Sequence, residues 1–171
     1  MDIRRATKSD VFELSALSSQ VFLSTYGGTA PVQDIASHVE SNFSEAVVST
    51  EILRDDVCYL MAVDGRRCAG MLKIREGDLP DVLRGQSVVE VQQLYVSLDF
   101  QRRGVGRLLL DAAVAETRAR GISGIWLSVW ADADWAMNFY TRYGFTSLAE
   151  IPFMMADTEF VDQVMWLSVS D

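Results

Sequence analysis

Histidine, cysteine and proline are scarce in this chain of 171 residues, which has one His, two Cys and three Pro. A zinc site, built from several such ligands, is not expected from His38 and the well-separated Cys58 and Cys68. A Ser–His–Asp triad is excluded unless His38 itself is the base. His38 lies in a polar helical stretch, where a surface or partly buried structural role is the ordinary one. No apolar run approaches the roughly 18 residues needed to cross a bilayer. Met1-Asp2-Ile3-Arg4-Arg5 has no apolar run behind its arginines, so no signal peptide is expected either. Basic residues are outnumbered, 15 Lys and Arg against 24 Asp and Glu, for a net charge of −9. Duplex affinity comes mainly from cations on phosphates, so a nucleic-acid partner is not expected. A negative field instead steers cationic small molecules or basic peptides inward. The expectation is a metal-free cytoplasmic protein without membrane or nucleic-acid partners.

What is present suits one domain over residues 1–171: 49% hydrophobic and 23% charged residues allow a sizeable core. Ile3 to Ala6 reads as a strand, and Thr7 with Asp10 as a capping box opening a helix over 8–24. A second helical region spans 32–54 and is split at Asn42-Phe43-Ser44. Val57 to Val63 and Cys68 to Ile74 form a hairpin about Asp64-Gly65. Taking that pair as the loop puts Cys58 opposite Met71 and Cys68 opposite Met61, with the thiols on opposite faces. After a loop over 76–86, Ser87 to Val96 is a long strand, followed by a helix to Ala119. Ile122 to Trp130 (strand), Ala133 to Tyr143 (helix), Phe145 to Phe153 and Asp162 to Val169 (strands) complete a mixed α/β domain.

Chemistry concentrates where the long strand ends, in Gln101-Arg102-Arg103-Gly104-Val105-Gly106-Arg107. A helix beginning near Gly104 presents unpaired N–H groups and a positive dipole end, which favour a phosphate. Gly104 and Gly106 keep Cβ atoms out of the way of a pyrophosphate, and three arginines gather positive charge in an acidic chain. The dinucleotide fingerprint and the P-loop ending are both absent.

The Gln/Arg-x-x-Gly-x-Gly/Ala pattern, met by Gln101 to Gly106 after Leu94-Tyr95-Val96, resembles the acyl-CoA site of the GNAT N-acetyltransferases. Leu127-Ser128-Val129-Trp130, Ala136, Phe139-Tyr140 and Gly144-Phe145 resemble the same family at the expected distance. The resemblance implies the GNAT fold, a mostly antiparallel sheet with a splayed parallel pair flanked by helices. It also implies acetyl-CoA as co-substrate, without a metal, and direct transfer to an amine. Backbone groups around Leu94, Tyr95 and Val96 would pair with the pantetheine arm, and N–H groups from Arg102 to Arg107 would hold the pyrophosphate. Tyr140 matches the family's general acid for the CoA sulfur; its competing role is an aromatic on a core-facing helix. Glu90 is the candidate proton acceptor, directly or through a water, against an exposed strand glutamate or a cation-binding residue without proton transfer; backbone carbonyls or waters alone are the other route. Ala133 stands where relatives often have a pantetheine-contacting asparagine, with Asp132, Asp134 or Asn138 as unassigned substitutes.

Phe22-Leu23-Ser24-Thr25-Tyr26-Gly27-Gly28 and Glu90 to Val96 are similar to the bacterial spermidine/spermine N-acetyltransferase group. That similarity implies a polyamine or like amine, with Tyr26 and Phe22 as candidate pocket residues. A protein, amino-acid or drug-amine acetyltransferase and a non-catalytic acyl-CoA sensor are the alternatives. Monomer and homodimer both stay open.

Overall fold

The hydrophobic periods of the sequence resolve into seven strands and five helices among residues 1–170, which the structure, a computed structural model, describes. In chain order these are β1 (Asp2–Arg5), α1 (Val11–Tyr26), α2 (Val32–Phe43), α3 (Glu45–Glu51), β2 (Val57–Asp64), β3 (Arg67–Arg75) and β4 (Val88–Val96). They continue with α4 (Val105–Ala119), β5 (Gly124–Trp130), α5 (Asp134–Tyr143), β6 (Thr146–Met155) and β7 (Thr158–Ser168). The strands form one sheet in the order β1-β2-β3-β4-β5-β7-β6. All neighbours are antiparallel except β4 and β5, which are joined through α4 as a crossover connection requires.

Strand alternation sends side chains to two separate cores. One face packs Leu60, Leu72, Val89, Ile125 and Leu127 against Leu109, Leu110 and Ala113 of α4 and Ala136 of α5. The other face packs Tyr59, Met61 and Met71 against Leu14, Leu17 and Val21 of α1. Beyond them, Phe22, Ile35, Phe43 and Met155 close the gap between α1, α2 and the sheet. Phe22 stacks on His38 at 4.7 Å, and burial moves that imidazole below its usual pKa. His38 is therefore a packed ring.

The β2–β3 hairpin differs from the sequence-based register. Asp64 pairs with Arg67, so Gly65 and Arg66 make the loop, and Gly65 takes a φ of +62°. Glycine favours that first loop position because a left-handed φ is needed there. That loop puts Cys68 opposite Val63, and a register shift between Ala62 and Val63, with Ala69 as the extra residue, puts Cys58 opposite Ile74. The thiols still point to opposite faces, Cys58 under α4 and Cys68 under α1.

The entry to α1 is held by charge. Asp10 accepts from both Arg4 guanidinium N–H groups at 2.8 and 2.7 Å, and from the Thr7 N–H at 2.7 Å. The Arg4 hydrogen bonds hold the Asp10 carboxyl well below its usual pKa. Asp10→Asn should cost about 1 kcal/mol at neutral pH, since Arg4 stays half exposed and solvent weakens the pair. A carboxyl depressed in the folded state stabilises it above the unfolded value of about 3.9, and that stability is lost as pH falls. Thermal unfolding of both proteins should show the difference narrowing below about pH 4.

Candidate active site

β4 and β5 pair only at Val88–Glu90 with Gly124–Trp126. Past those three pairs, Val91–Val96 bonds to β3 alone and Leu127–Trp130 to β7 alone. A wedge opens between them, and β4 presents to it the polar groups that β3 does not use. Gln92 is an extra residue at the apex, where the β3–β4 register shifts between Lys73 and Ile74. Such bulges bend a strand and re-aim its side chains. The buried Gln92 Oε1 has no hydrogen-bond partner among the described residues. Leu94, Tyr95 and Val96 line the open edge of β4.

The glycine loop stands at the mouth of the wedge. Gln101 donates from Nε2 to the Val96 carbonyl at 3.2 Å, tying the loop to the end of β4. Arg102 and Gly104 both adopt left-handed backbone, with φ of +60° and +82°. Alternating hand turns successive N–H groups toward one concavity, which suits an anion. Leu108 donates to the Gly104 carbonyl at 3.1 Å, so Val105, Gly106 and Arg107 precede the first helical donor and their N–H groups point out of the helix end. Arg103 sits over the Phe100 ring and Arg107 over Tyr143, and Arg102 is exposed. The two glycines serve different ends. Gly104 is needed for its φ, whereas a Cβ on Gly106 would meet Phe139 at 3.1 Å, so Gly106 lets α4 and α5 pack closely.

Tyr140 on α5 is half buried, edge-on to Phe139 at 5.2 Å and to Phe145 at 5.6 Å. Burial pushes its phenol above the usual range, so it stays protonated at working pH. Its hydroxyl makes no hydrogen bond among the described residues. Ala133 is buried at the start of α5, while Asp132, Asp134 and Asn138 are exposed.

On the sheet face toward α1 and α2, two carboxylates meet different company. Glu90, at the last pair of the β4–β5 ladder, is ion-paired with Arg75 directly across from it on β3. Asp162 on β7 is 8% exposed and, among the described residues, accepts only from Ser128 Oγ, at 2.9 Å. Burial pushes its carboxyl up, with the Ser128 hydroxyl opposing. Tyr26 meets Trp130 at 6.3 Å between ring centres, and Trp130 meets Phe160 at 5.9 Å. Phe22 lies deeper, 4% exposed, against Tyr26 at 5.2 Å and Phe43 at 5.3 Å.

Strand wedge, anion-ready helix start and half-buried phenol thus converge. The sequence model of the acetyltransferase (GNAT) family matches residues 25–145. The chain belongs to that family. An N-acetyltransferase of Lactobacillus delbrueckii subsp. lactis, encoded 3′ of pepI and uncharacterised, is 30% identical over 161 residues, covering 94% of this chain and 92% of its own. Among solved structures, PaiA N-acetyltransferase from Thermoplasma acidophilum in complex with coenzyme A has a TM-score of 0.80 at 21% identity, covering 98% of both chains. YncA, a putative acetyltransferase from Salmonella typhimurium with acetyl-CoA, has a TM-score of 0.73 at 20% identity, covering 100% of this chain and 95% of its own. This GNAT protein is an acyltransferase with acetyl-CoA as its co-substrate.

The residues present fit that co-substrate. The open β4 edge, the buried Gln92 Oε1 without a donor, and the outward N–H groups of the α4 start are what a pantetheine arm and a pyrophosphate require. Ser128, Trp130, Phe160 and Asp162 were not picked out as site residues from sequence. Asp162 is inward by parity with Val164 and Trp166, a usable signal masked by placing it at the strand's first residue. Gly104→Val puts a β-branched residue at positive φ, and should raise the dissociation constant for coenzyme A about tenfold or more. Titration calorimetry on both proteins, with circular dichroism as a check on folding, measures this.

Proposed function

We propose that this enzyme passes acetyl directly to the primary amine of a small polycationic acceptor, a polyamine or an amine of similar charge. The observation that carries this reading is the acceptor-side wall, in which Trp130 and Phe160 share a sheet face with the buried Asp162 and Tyr26 packs on Trp130. Aromatic faces and a carboxylate attract ammonium groups and do not suit an anionic acceptor. The net charge of −9 supports it by steering cations inward.

Acetyl-CoA supplies the activated acetyl thioester. Tyr140 keeps a proton on its hydroxyl and gives it to the departing sulfur. A β4 N–H near Leu94 or Tyr95 is directed to the carbonyl oxygen and carries its developing charge. An alkylammonium has a pKa near 10 in water, so the amine loses a proton at or before attack. Glu90, on the acceptor face at the apex of the wedge, takes that proton directly or through a water. No covalent enzyme intermediate is required. Cys58 and Cys68 lie in the β2–β3 hairpin with their thiols pushed up by burial, which disfavours the nucleophilic thiolate.

Thiol release from acetyl-CoA across spermidine, spermine, lysine, an N-terminal peptide and an aminoglycoside tests the proposal. Saturable release with a polyamine is expected, and release with the peptide alone overturns it. Tyr140→Phe should lower kcat by about 10²- to 10⁴-fold with little change in the affinity for acetyl-CoA. Steady-state kinetics paired with calorimetry separates the two effects.

A further inference from the structure

Asp162 is a buried charge that the fold leaves uncompensated. An ionised carboxylate removed from water costs several kcal/mol unless it is paired and hydrogen-bonded. It offers about four acceptor sites, and one hydroxyl, that of Ser128, occupies it at 2.9 Å. No Lys, Arg or His among the described residues forms an ion pair with it. Glu90 on the same face has Arg75, and Glu51 behind it has the buried Lys73 at 2.6 Å. Its neighbours are rings. Trp130 is its partner in the β5–β7 register, Phe160 precedes it by two residues on the same face of β7, and Tyr26 lies against Trp130.

The position is set back from the reacting centre. β7 lies one strand beyond β5, a further step of about 4.8 Å from the wedge. Tyr26 lies near enough for its hydroxyl to interact electrostatically with Asp162, with Tyr95 and with Tyr140.

We infer that Asp162, with the rings of Tyr26, Trp130 and Phe160, is a seat for a second, non-reacting ammonium of the acceptor, so that the enzyme selects diamines and polyamines over monoamines. The inference rests on the reading of the acceptor as a small cationic amine, and it assigns that selectivity to one side chain. The carboxylate supplies the charge, the rings supply cation–π attraction, and the short span to the wedge calls for a few methylene groups between the two nitrogens.

The test compares 1,4-diaminobutane with butylamine, which differ in the second ammonium, on wild type and on Asp162→Asn. Asparagine keeps the shape and an oxygen for Ser128 while removing the charge. The preference for the diamine, as a ratio of kcat/KM values, should fall about 10- to 100-fold, mainly through KM. An unchanged preference overturns the inference, whether both activities hold or both fall together. Should Asp162→Asn fail to fold, Phe160→Leu, which removes one ring, should lower the same ratio, and an unchanged ratio is again fatal. Calorimetry of 1,4-diaminobutane on the coenzyme A complex separates this inference from the wider reading. Binding by wild type and not by Asp162→Asn sustains the seat even where no amine is turned over. No binding by wild type removes it.

Discussion

The parting of β4 from β5 is the constraint on which the other features depend. Two parallel strands that pair at three positions and then diverge leave half of their backbone polar groups facing each other across a gap. Buried N–H and C=O groups need partners, and a twisted sheet cannot close the gap once the bulge at Gln92 has turned β4 aside. What fits is an extended, amide-bearing arm entering as a strand would. The loop at Gln101–Gly106 is the continuation of that geometry, because β4 runs directly into it and the Gln101 side chain binds the last carbonyl of the strand. Strand edge and helix start thus fit two parts of one co-substrate, and would hold its amide chain and its phosphates.

The sheet keeps its chemistries apart by alternation. Val89, Val91, Leu94 and Val96 send their side chains toward α4 and α5, which hold the wedge open from behind and carry Tyr140. Glu90 and Tyr95 project to the other face, where α1 and α2 supply Phe22, Tyr26 and Phe43. That face combines a neutralised carboxylate, Glu90 with Arg75, and a naked one, Asp162. In a low-dielectric setting the difference between them is large, since an ion pair satisfies locally what an isolated charge demands from a ligand. The hydrogen bond from Thr158 Oγ1 to Asp34, at 2.6 Å, fastens α2 to the β6–β7 hairpin.

Much of this was legible in the residues. The element order, the split of the second helical region at Ser44 and the helix start at Gly104 follow from periods and breakers that act over a few neighbours. The left-handed Gly104 belongs with them, because its φ is set by the turn it makes. Gly106 was legible as a requirement but not in its cause, since the ring it admits, Phe139, comes from a different helix. The β2–β3 register slipped by the placing of one glycine and by an extra residue at Ala69, which together decide the facing pairs. Asp162 was legible as a strand residue and not as a site residue. Its surroundings are built by Ser128, Trp130 and Tyr26, which lie 32 or more positions away.

By itself the sequence determined the layered α/β order, the anion-ready loop and the candidate phenol, all of them properties of local spacing, backbone freedom and charge. Only the tertiary structure decided which carboxylate would be compensated. It set Arg75 against Glu90 through the register of β3 on β4, and it left Asp162 among rings through the register of β7 on β5. The physical reason is that a side chain's chemical type is written in one residue, whereas the compensation of its charge depends on what distant strands bring within a few ångströms.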